Sequence, residues 1–417
     1  MILSRLAELK SVTIAVPVIL LAMTGFLFSP RVPAGEEAAN CVSVIDIGPA
    51  HLHLNCDSGE FERVAANPSL MLSSNRTRQN RPLSVMLGWT LAKPFHMMGV
   101  ATGSAEYAGF ITLNFLLLLC ACLLFTRISG ARWLLDPLTL FPLSVIVVNQ
   151  VTKAFFWTPH LQIFNILIPI ASLALFRWIF EEAHPLGWWR AFLLGVALGI
   201  GALAYGGFAI TAAGAAICIM AGRLVRVLRV FFGAAARAGL LLLAFLAPTA
   251  AWTTFVTYRT GSFYSREIDH YRQFVWMTDS LQTGGFSALL KDFAMMSGEF
   301  GDTLRVVMPF SLLTVGALAT LLYARGGLRE IVRGNEMLLR SIVVYVTVDL
   351  LFFWLMGFYA SRLTWTIVPA VALLIAVEMQ ALDRVASDGG RRALRGASAV
   401  ATVLYMAYWY VRPGPWS

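Results

Sequence analysis

The chain has 417 residues, of which 58% are hydrophobic and only 13% are charged, with a net charge of +9 and a mean hydropathy of +0.71. Apolar runs of about 20 residues recur along it, and one soluble core cannot bury that much apolar surface. The composition therefore excludes a soluble globular protein and indicates a multi-pass helical membrane protein. Membrane topology accounts for the positive charge, so no nucleic-acid partner is expected.

The apolar runs predict an all-α polytopic protein with about eleven transmembrane helices. The predicted helices cover residues 11–29, 106–126, 133–151, 160–178, 189–205, 207–222, 236–257, 304–324, 338–357, 362–380 and 394–411. The first is expected to be retained, because no small-residue cleavage motif follows it. The fifth and sixth are separated only by Tyr205-Gly206-Gly207, which leaves open two short helices or one long tilted helix.

Lysine and arginine residues predict the orientation of these helices. The short segments on one side hold most of the arginines, whereas the short segments on the other side hold only Lys153, Arg362 and Arg412. Because short cytoplasmic loops retain positive charge, the N-terminus is expected to be cytoplasmic and the C-terminus extracytoplasmic. The same distribution of lysine and arginine favours two separate helices that meet at Gly206-Gly207. The expected location is a bacterial inner or plasma membrane, with the active face extracytoplasmic.

Two predicted extracytoplasmic segments are long enough to carry function. The predicted organisation is a first transmembrane helix (1–29), a first outer loop (30–105), transmembrane helices two to seven (106–257), a second outer loop (258–303) and transmembrane helices eight to eleven (304–417). Both long loops are expected on the same side of the membrane. They are therefore the places to look for a site.

The first outer loop begins with CVSVIDIGPAHLHLNCDSGEFE, residues 41–62. Apolar and polar residues alternate on both sides of Gly48-Pro49, which predicts two strands joined by a short turn. That register places Cys41 opposite Cys56 and Asp46 opposite His51. A Cys41–Cys56 disulfide closing the hairpin is therefore expected in an oxidising compartment.

Further along this loop, Pro82 opens a stretch with helical apolar spacing that extends over Leu83 to Leu91. The pattern fits an amphipathic helix lying in the membrane interface, and it fits equally a helix packed over the outer face. Asn75-Arg76-Thr77 matches a glycosylation acceptor triplet, which is a weak signal.

The arrangement resembles the polyprenyl-phosphate-dependent membrane glycosyltransferases of the GT-C fold, which include protein mannosyltransferases and lipid A aminoarabinose transferases. The likeness lies in one helix, an acidic outer loop with a surface-lying helix near Arg81-Pro82-Leu83, and about ten further helices with a second outer loop. In that group an acid, often one of a pair, follows the first helix, and here Asp46 stands alone in that position. Leu83 is followed by Ser84-Val85 where the family has tyrosines.

The resemblance implies transfer of a sugar from a polyprenyl-phosphate donor to a glycan, lipid or protein acceptor, with membrane lipids as the other partners. Such a reaction needs a base for the acceptor hydroxyl. Asp46 is the candidate by family position, and the alternative is a strand residue paired with His51. Glu106, at the start of the second helix, is a second candidate acid or a helix N-terminal residue that interacts with the helix dipole.

The reaction also needs cations for the lipid phosphate. Arg362, Arg305 and Lys153 stand at predicted outer helix ends, and the alternative for each is ordinary snorkelling to headgroups. Hydrogen-bonding and aromatic residues at the outer face are candidates for the sugar or the acceptor, although helix packing would explain them equally. They are Trp157, His160, Gln162, Asn165, Tyr258 and His270.

No glycine-rich phosphate loop, Cys-x-x-Cys pair or His-Glu-x-x-His motif occurs, so neither a nucleotide site nor a zinc site is predicted. No cofactor is assigned, and a divalent cation near Asp46 is left open. Three other functions remain open at this point. They are a polysaccharide polymerase or ligase, a transporter of lipid-linked glycans and a noncatalytic membrane scaffold.

Overall fold

A computed structural model describes residues 2–73, 78–130, 136–182, 186–221, 228–357 and 361–414, and these ranges are predominantly helical. The helices are α1 (Ile2–Leu27), α2 (Ser58–Ala66), α3 (Pro82–Met97), α4 (Ser104–Ile128), α5 (Pro137–Val147), α6 (Gln150–Phe155), α7 (Phe164–Glu181), α8 (Trp188–Ala202), α9 (Phe208–Ala221), α10 (Leu228–Thr260), α11 (Arg266–Asp269), α12 (Val275–Ala324), α13 (Leu328–Val332), α14 (Glu336–Met356), α15 (Val368–Val385) and α16 (Asp388–Val411). The strands are β1 (Val42–Ile47) and β2 (Ala50–Asn55), and short 3-10 segments cover Pro68–Leu72 and Ser361–Thr366.

Within the described ranges, four helical stretches are long and apolar enough to cross a membrane, which supports a membrane protein. They are Ser104–Ile128, Phe164–Glu181, Phe232–Thr260 and Glu336–Met356. Five shorter apolar stretches lie at Thr13–Leu27, Pro137–Val147, Trp188–Ala202, Phe208–Ala221 and Ser311–Ala324. Each of the predicted apolar segments overlaps one or more helices, and the chain between Ala202 and Phe208 is not helical. The fifth and sixth predicted segments are therefore two helices.

The third predicted segment, 133–151, is interrupted where α5 ends and α6 begins. Asn149 caps α6, since its side-chain oxygen accepts hydrogen bonds from the main-chain N–H groups of Val151 (2.9 Å) and Thr152 (3.1 Å). An asparagine at this position satisfies helix N-terminal donors that would otherwise lack partners. The apolar run length could not reveal this break.

The predicted second outer loop, 258–303, contains much more helix than a loop, because α12 already begins at Val275. The helix is kinked at Gly285, whose φ of +66° favours glycine. Its N-terminal part packs on the end of α14, where the Trp276 indole N–H donates to the Leu355 carbonyl oxygen at 3.0 Å. The rings of Phe293 and Trp354 lie 4.8 Å apart. This tertiary packing stabilises a helix in the part of the chain that the sequence predicts to be a loop.

The hairpin has the predicted register. Strand β1 pairs antiparallel with β2, with Asp46 opposite His51 and Val42 opposite Asn55. Gly48 in the turn has a φ of +59°, as a two-residue turn requires. A disulfide joins Cys41 to Cys56, whose Cα atoms are 5.0 Å apart. The local sequence pattern was sufficient to predict this register, because every pairing partner lies within a few residues of the turn.

Helix α3 packs along α4 through small residues. A Cβ on Gly109 would come within 2.6 Å of the Gly88 carbonyl oxygen and 2.8 Å of the Ala92 nitrogen, so the two backbones are in contact. Val85 and Ala92 are also fully buried. The face of α3 that carries these residues therefore packs against protein. Met97 and Met98, which are largely exposed, lie at its far end.

Candidate functional site

A polar cavity of about 400 Å³ lies where five stretches of chain meet, all of them predicted to be extracytoplasmic. We call it the outer cavity. Two of the stretches belong to the first outer loop, and the others precede α7, surround α11 and form the second 3-10 segment. Its lining residues are Asp57, Glu60, Arg78, Asn80, His160, Gln162, Tyr264, Glu267, Tyr271 and Arg362.

The first side of the outer cavity is the start of α2 and the chain before α3. Arg78 lies 2.5 Å from the Glu60 carboxylate and 3.3 Å from the Asp57 carboxylate, and its guanidinium stacks 4.2 Å from the centre of the Phe61 ring. Asp57 stands at the N-cap of α2 but makes no capping hydrogen bond with its side chain. Its carboxylate instead shares Arg78 with Glu60.

The same stretch is bound to the second outer loop through three consecutive side chains. The Gln79 side-chain oxygen accepts from the Tyr264 main-chain N–H at 2.9 Å. Asn80 donates to Glu267, and the Arg81 guanidinium lies 2.6 Å from the same carboxylate. Burial alone would raise the pKa of Glu267, but the charge and hydrogen bond of Arg81 outweigh it, so the pKa lies below its usual value.

His160 and Gln162 form the floor of the outer cavity, in the turn that precedes α7. The His160 ring is packed between Phe61 and Phe155, with ring centres 5.3 and 4.8 Å away. Burial, followed by the positive charges of Arg362 and Arg78, lowers the pKa of His160 to about 3. His160 is therefore neutral near pH 7 and can act as a hydrogen-bonding group without charge.

Arg362 enters the outer cavity from the 3-10 segment between α14 and α15. Two hydrogen bonds hold this segment, from the Trp365 indole to Gln150 (2.7 Å) and from the Thr366 hydroxyl to Asp349 (3.2 Å). The Arg362 guanidinium lies 5.8 Å from the centre of the Phe155 ring. Its Nε is buried without a hydrogen-bond partner among the described residues.

The charges in the outer cavity are not matched one to one. Glu267 is bound by Arg81 and Glu60 by Arg78 at short distances, whereas Asp57 lies 3.3 Å from Arg78 and 4.0 Å from His160. Arg362 makes no ion pair with any residue that the structure describes within 4.0 Å. The outer cavity thus presents a carboxylate and a guanidinium that are not each other's partners. Such a pair suits proton acceptance on one side of a ligand and anion binding on the other.

Three of the predicted site residues line the outer cavity, namely Arg362, His160 and Gln162. Asn165 lies directly behind them, donating to the Gln162 side-chain oxygen at 2.6 Å. The Tyr205 hydroxyl donates to the same oxygen at 3.1 Å. Gln162 is therefore held in one orientation by two neighbours.

Asp46 does not reach the outer cavity. Its carboxylate, on the exposed face of the hairpin, lies 2.8 Å from His51 Nδ1 and 3.0 Å from Arg31. The hydrogen bond from His51 chiefly lowers the pKa of Asp46. The structure therefore gives Asp46 the strand-paired role that was its alternative. Glu106 is also outside the outer cavity lining, bound to His96 (2.7 Å) and to the Gly103 main-chain N–H (2.6 Å) at the start of α4.

The remaining predicted residues are also dispersed. Arg305 is exposed and pairs with Asp302 at 2.7 Å, and the Lys153 ammonium donates to the carbonyl oxygens of Trp409 and Arg412. The Trp157 indole donates to the Met23 carbonyl oxygen at 2.9 Å. Tyr258 and His270 are exposed and do not line the outer cavity, although the His270 ring contacts the lining residue Tyr271.

Sequence reasoning assigned no site role to several lining residues. In the sequence, Asp57-Ser58-Gly59 is typical of a turn after the hairpin, and Arg78 belongs to a polar, basic stretch before Pro82. The sequence signal that could have located these residues is the basic stretch of the first outer loop, together with the acidic residues that occur in both outer loops. The residues without a predicted site role are Asp57, Glu60, Arg78 and Asn80, whereas Tyr264, Glu267 and Tyr271 belong to a stretch of aromatic and charged residues in the second outer loop that suits carbohydrate or pyrophosphate. The possible glycosylation triplet at 75–77 lies outside the described residues.

No group of three or more His, Cys, Asp or Glu side chains arranged to hold a metal ion occurs within the described ranges. Comparison with protein-family models, with curated proteins and with solved structures finds nothing that matches the chain. The function therefore has to be argued from the outer cavity and its surroundings.

Proposed function

We propose that this chain is a membrane glycosyltransferase of GT-C type, with about eleven membrane crossings and the outer cavity on the extracytoplasmic face. It would transfer a sugar from a polyprenyl-phosphate donor to a glycan, lipid or protein acceptor. One observation carries the proposal. Five stretches that charge distribution predicts on one side of the membrane converge on a single polar cavity.

In the proposed reaction Arg362 binds the phosphate of the donor. An arginine with no carboxylate partner among the described residues is suited to this, since its guanidinium forms paired, charge-assisted hydrogen bonds with phosphate oxygens. When the bond between the sugar C1 and the phosphate oxygen breaks, the electron pair stays on the phosphate. The positive charge of Arg362 stabilises that developing negative charge.

Asp57 is the proposed base, in place of Asp46. The acceptor hydroxyl gives its proton to the Asp57 carboxylate as its oxygen forms the new bond to C1. Glu60 takes the closer position on Arg78, at 2.5 Å against 3.3 Å for Asp57. Arg78 and His160, 3.3 and 4.0 Å from its carboxylate, hold Asp57 at the outer cavity.

Neutral groups in the outer cavity are suited to the sugar. Gln162 is oriented by Asn165 and Tyr205, and His160 is uncharged at neutral pH. Tyr264 and Tyr271 supply aromatic surface on the opposite side of the outer cavity. Hydrogen-bonding groups with aromatic surface suit a carbohydrate, whose ring has both hydroxyl groups and apolar faces.

The test is a transfer assay with the purified full-length chain in lipid nanodiscs. Radiolabelled polyprenyl-phosphate hexoses and pentoses are offered with glycan, lipid and peptide acceptors. The wild-type protein should form labelled product with at least one pair. Arg362→Gln should lower the rate about 100-fold, because two charge-assisted hydrogen bonds to the phosphate are lost.

Arg305→Gln is the matched control, since it removes a charge from an exposed residue outside the outer cavity. It should leave the rate unchanged. Equal loss in both variants would contradict the assigned role of Arg362. Absence of transfer with every pair would overturn the transferase proposal and favour a noncatalytic scaffold, and transfer only from diphosphate-linked glycans would favour a polymerase or ligase.

A further inference from the structure

A second cavity lies to the side of the outer cavity, between α5, α12, α15 and α16. It has a volume of about 490 Å³, within the range of roughly 300–1,000 Å³ typical of ligand sites. Its walls are mostly apolar, with Val145, Val371 and Leu404 among the lining residues. We call it the lateral groove.

The lateral groove has a basic, aromatic end. Trp365, Trp409 and Arg412 line it there. The Arg412 guanidinium lies 5.3 Å from the centre of the Trp409 ring, and Arg412 makes no ion pair with a described residue. The Lys153 ammonium donates to the Arg412 carbonyl oxygen at 2.6 Å, adding a second positive charge. Tryptophan and arginine at the end of an apolar surface are typical of the membrane–water boundary.

The length of the lateral groove fits one leaflet of a bilayer. On α16 its lining extends from Ala401 to Arg412, at the C-terminal end of the helix. At a rise of 1.5 Å per residue this is a length of about 16 Å. The hydrocarbon core of a bilayer is about 30 Å thick, so the groove covers about half of it.

We propose that the lateral groove binds an acyl chain of an anionic phospholipid, with the lipid phosphate at Arg412. The apolar walls match the chain, the length matches a lipid of one leaflet, and the positive end formed by Arg412 and Lys153 matches a phosphate that carries net charge. The lipid lies in the leaflet on the Arg412 side. Trp365 belongs to the segment that carries Arg362, so the bound lipid packs against the wall between the lateral groove and the outer cavity.

Native mass spectrometry of the full-length chain, titrated with phosphatidylglycerol or phosphatidylcholine of identical acyl chains, tests the proposal. The wild-type chain should retain one phosphatidylglycerol and bind it at least tenfold more tightly than phosphatidylcholine. Arg412→Gln should reduce that preference about tenfold or more. Arg305→Gln, which removes an exposed charge outside the groove, should not.

A second pair of variants tests the apolar wall without changing charge. Ala401→Trp fills the lateral groove and should weaken binding of both lipids, whereas Val403→Trp alters a position that is 66% exposed and outside the groove lining, and should not. Because Arg362 lies in the other cavity, Arg362→Gln should leave phosphatidylglycerol binding unchanged. Lipid binding is measured without any sugar donor, so its failure and the failure of the transferase proposal are distinguishable.

Three results would overturn the proposal. The first is equal affinity of the wild-type chain for the two phospholipids. The second is displacement of phosphatidylglycerol by equimolar polyprenyl phosphate, which would assign the lateral groove to the polyprenyl lipid. The third is a lipid-free dimer that Ala401→Trp dissociates, which would assign the groove to a second copy of the chain.

Discussion

The hairpin β1–β2 and the helix α2 that follows it are adjacent in the chain and both carry acidic residues, yet those acids have different kinds of partner. Asp46 on the hairpin finds its partners nearby, in His51 and Arg31, and stays exposed. Asp57 and Glu60 at the start of α2 find theirs in Arg78, at the edge of the outer cavity. An acid bound by local neighbours at the surface is poorly placed for chemistry on a ligand.

This contrast separates an element that folds by local pairing from a site that needs distant segments. The hairpin closes through a disulfide and a two-residue turn. The outer cavity depends on contacts such as that between Arg81 and Glu267, which are separated by 186 residues. Perturbing each region separately therefore tests whether they are independent.

The largest expected effect comes from removing Glu267 on the cavity side. Glu267→Ala leaves Arg81 largely buried without its carboxylate and removes two of the three side-chain contacts described between the outer loops, leaving that of Gln79 with Tyr264. Hydrogen exchange at residues 78–81 and 264–267 should show a loss of about 3–4 kcal/mol in opening free energy. Asp279→Ala, which breaks an exposed pair with Arg272, should have a much smaller effect. A similar effect of both would contradict the structural role of Glu267.

The next effect is on the hairpin side. The Cys41–Cys56 bridge closes a loop with a sequence separation of 15, and a loop of that size is expected to stabilise by about 3 kcal/mol. The double variant Cys41→Ser/Cys56→Ser should lose that protection at the strand amides, measured by hydrogen exchange, while residues 78–81 keep theirs. Cys120→Ser, at a free exposed cysteine, is the control. Loss of protection in both regions would show that they fold as one unit.

The third effect is a pH dependence to which both regions contribute, through His160 in the outer cavity and through His53 on the hairpin, whose pKa burial lowers to about 4. The pKa of His160 is about 3 in the folded chain against 6.5 in the unfolded chain. Above pH 6.5 both states are neutral and His160 contributes no pH dependence. Below it the unfolded state binds the proton more readily, so stability falls with pH, by about 2 kcal/mol at pH 5.

His160→Gln should remove the contribution of His160 and leave that of His53, so that its thermal midpoint falls less between pH 7.5 and pH 5 than that of the wild-type chain. His270→Gln, at an exposed histidine, should behave like the wild-type chain. If His160→Gln is as acid-sensitive as the wild-type chain, His160 is not held neutral by its surroundings.

Much of the local structure could be predicted from the sequence. Apolar run length located the helices, and alternation around Gly48 gave the strand register, because both signals depend on neighbouring residues. The break at Asn149 was missed, since an asparagine within an apolar run shows its capping role only in the folded chain. The early start of α12 was missed because its packing on α14 is tertiary.

The outer cavity was predicted only in part. Arg362, His160 and Gln162 were chosen because each stands at a predicted outer helix end, and that topological argument needs no contact information. Asp57 was not chosen, because the sequence Asp57-Ser58-Gly59 after a hairpin is typical of a turn. Its side chain makes no capping bond and instead lies near Arg78, more than 20 residues further on. Contacts between residues so far apart in the chain cannot be predicted from local sequence patterns.

The central claim is that the acid used for chemistry lies in the outer cavity and not on the hairpin. The most direct test compares sugar transfer by Asp57→Asn and Asp46→Asn, two variants that each replace one carboxylate by an amide of the same shape. We predict that Asp57→Asn lowers the transfer rate by about 100- to 1,000-fold, the range expected for loss of a general base, and that Asp46→Asn retains the wild-type rate. Full turnover by Asp57→Asn, or a comparable loss in Asp46→Asn, would contradict the account.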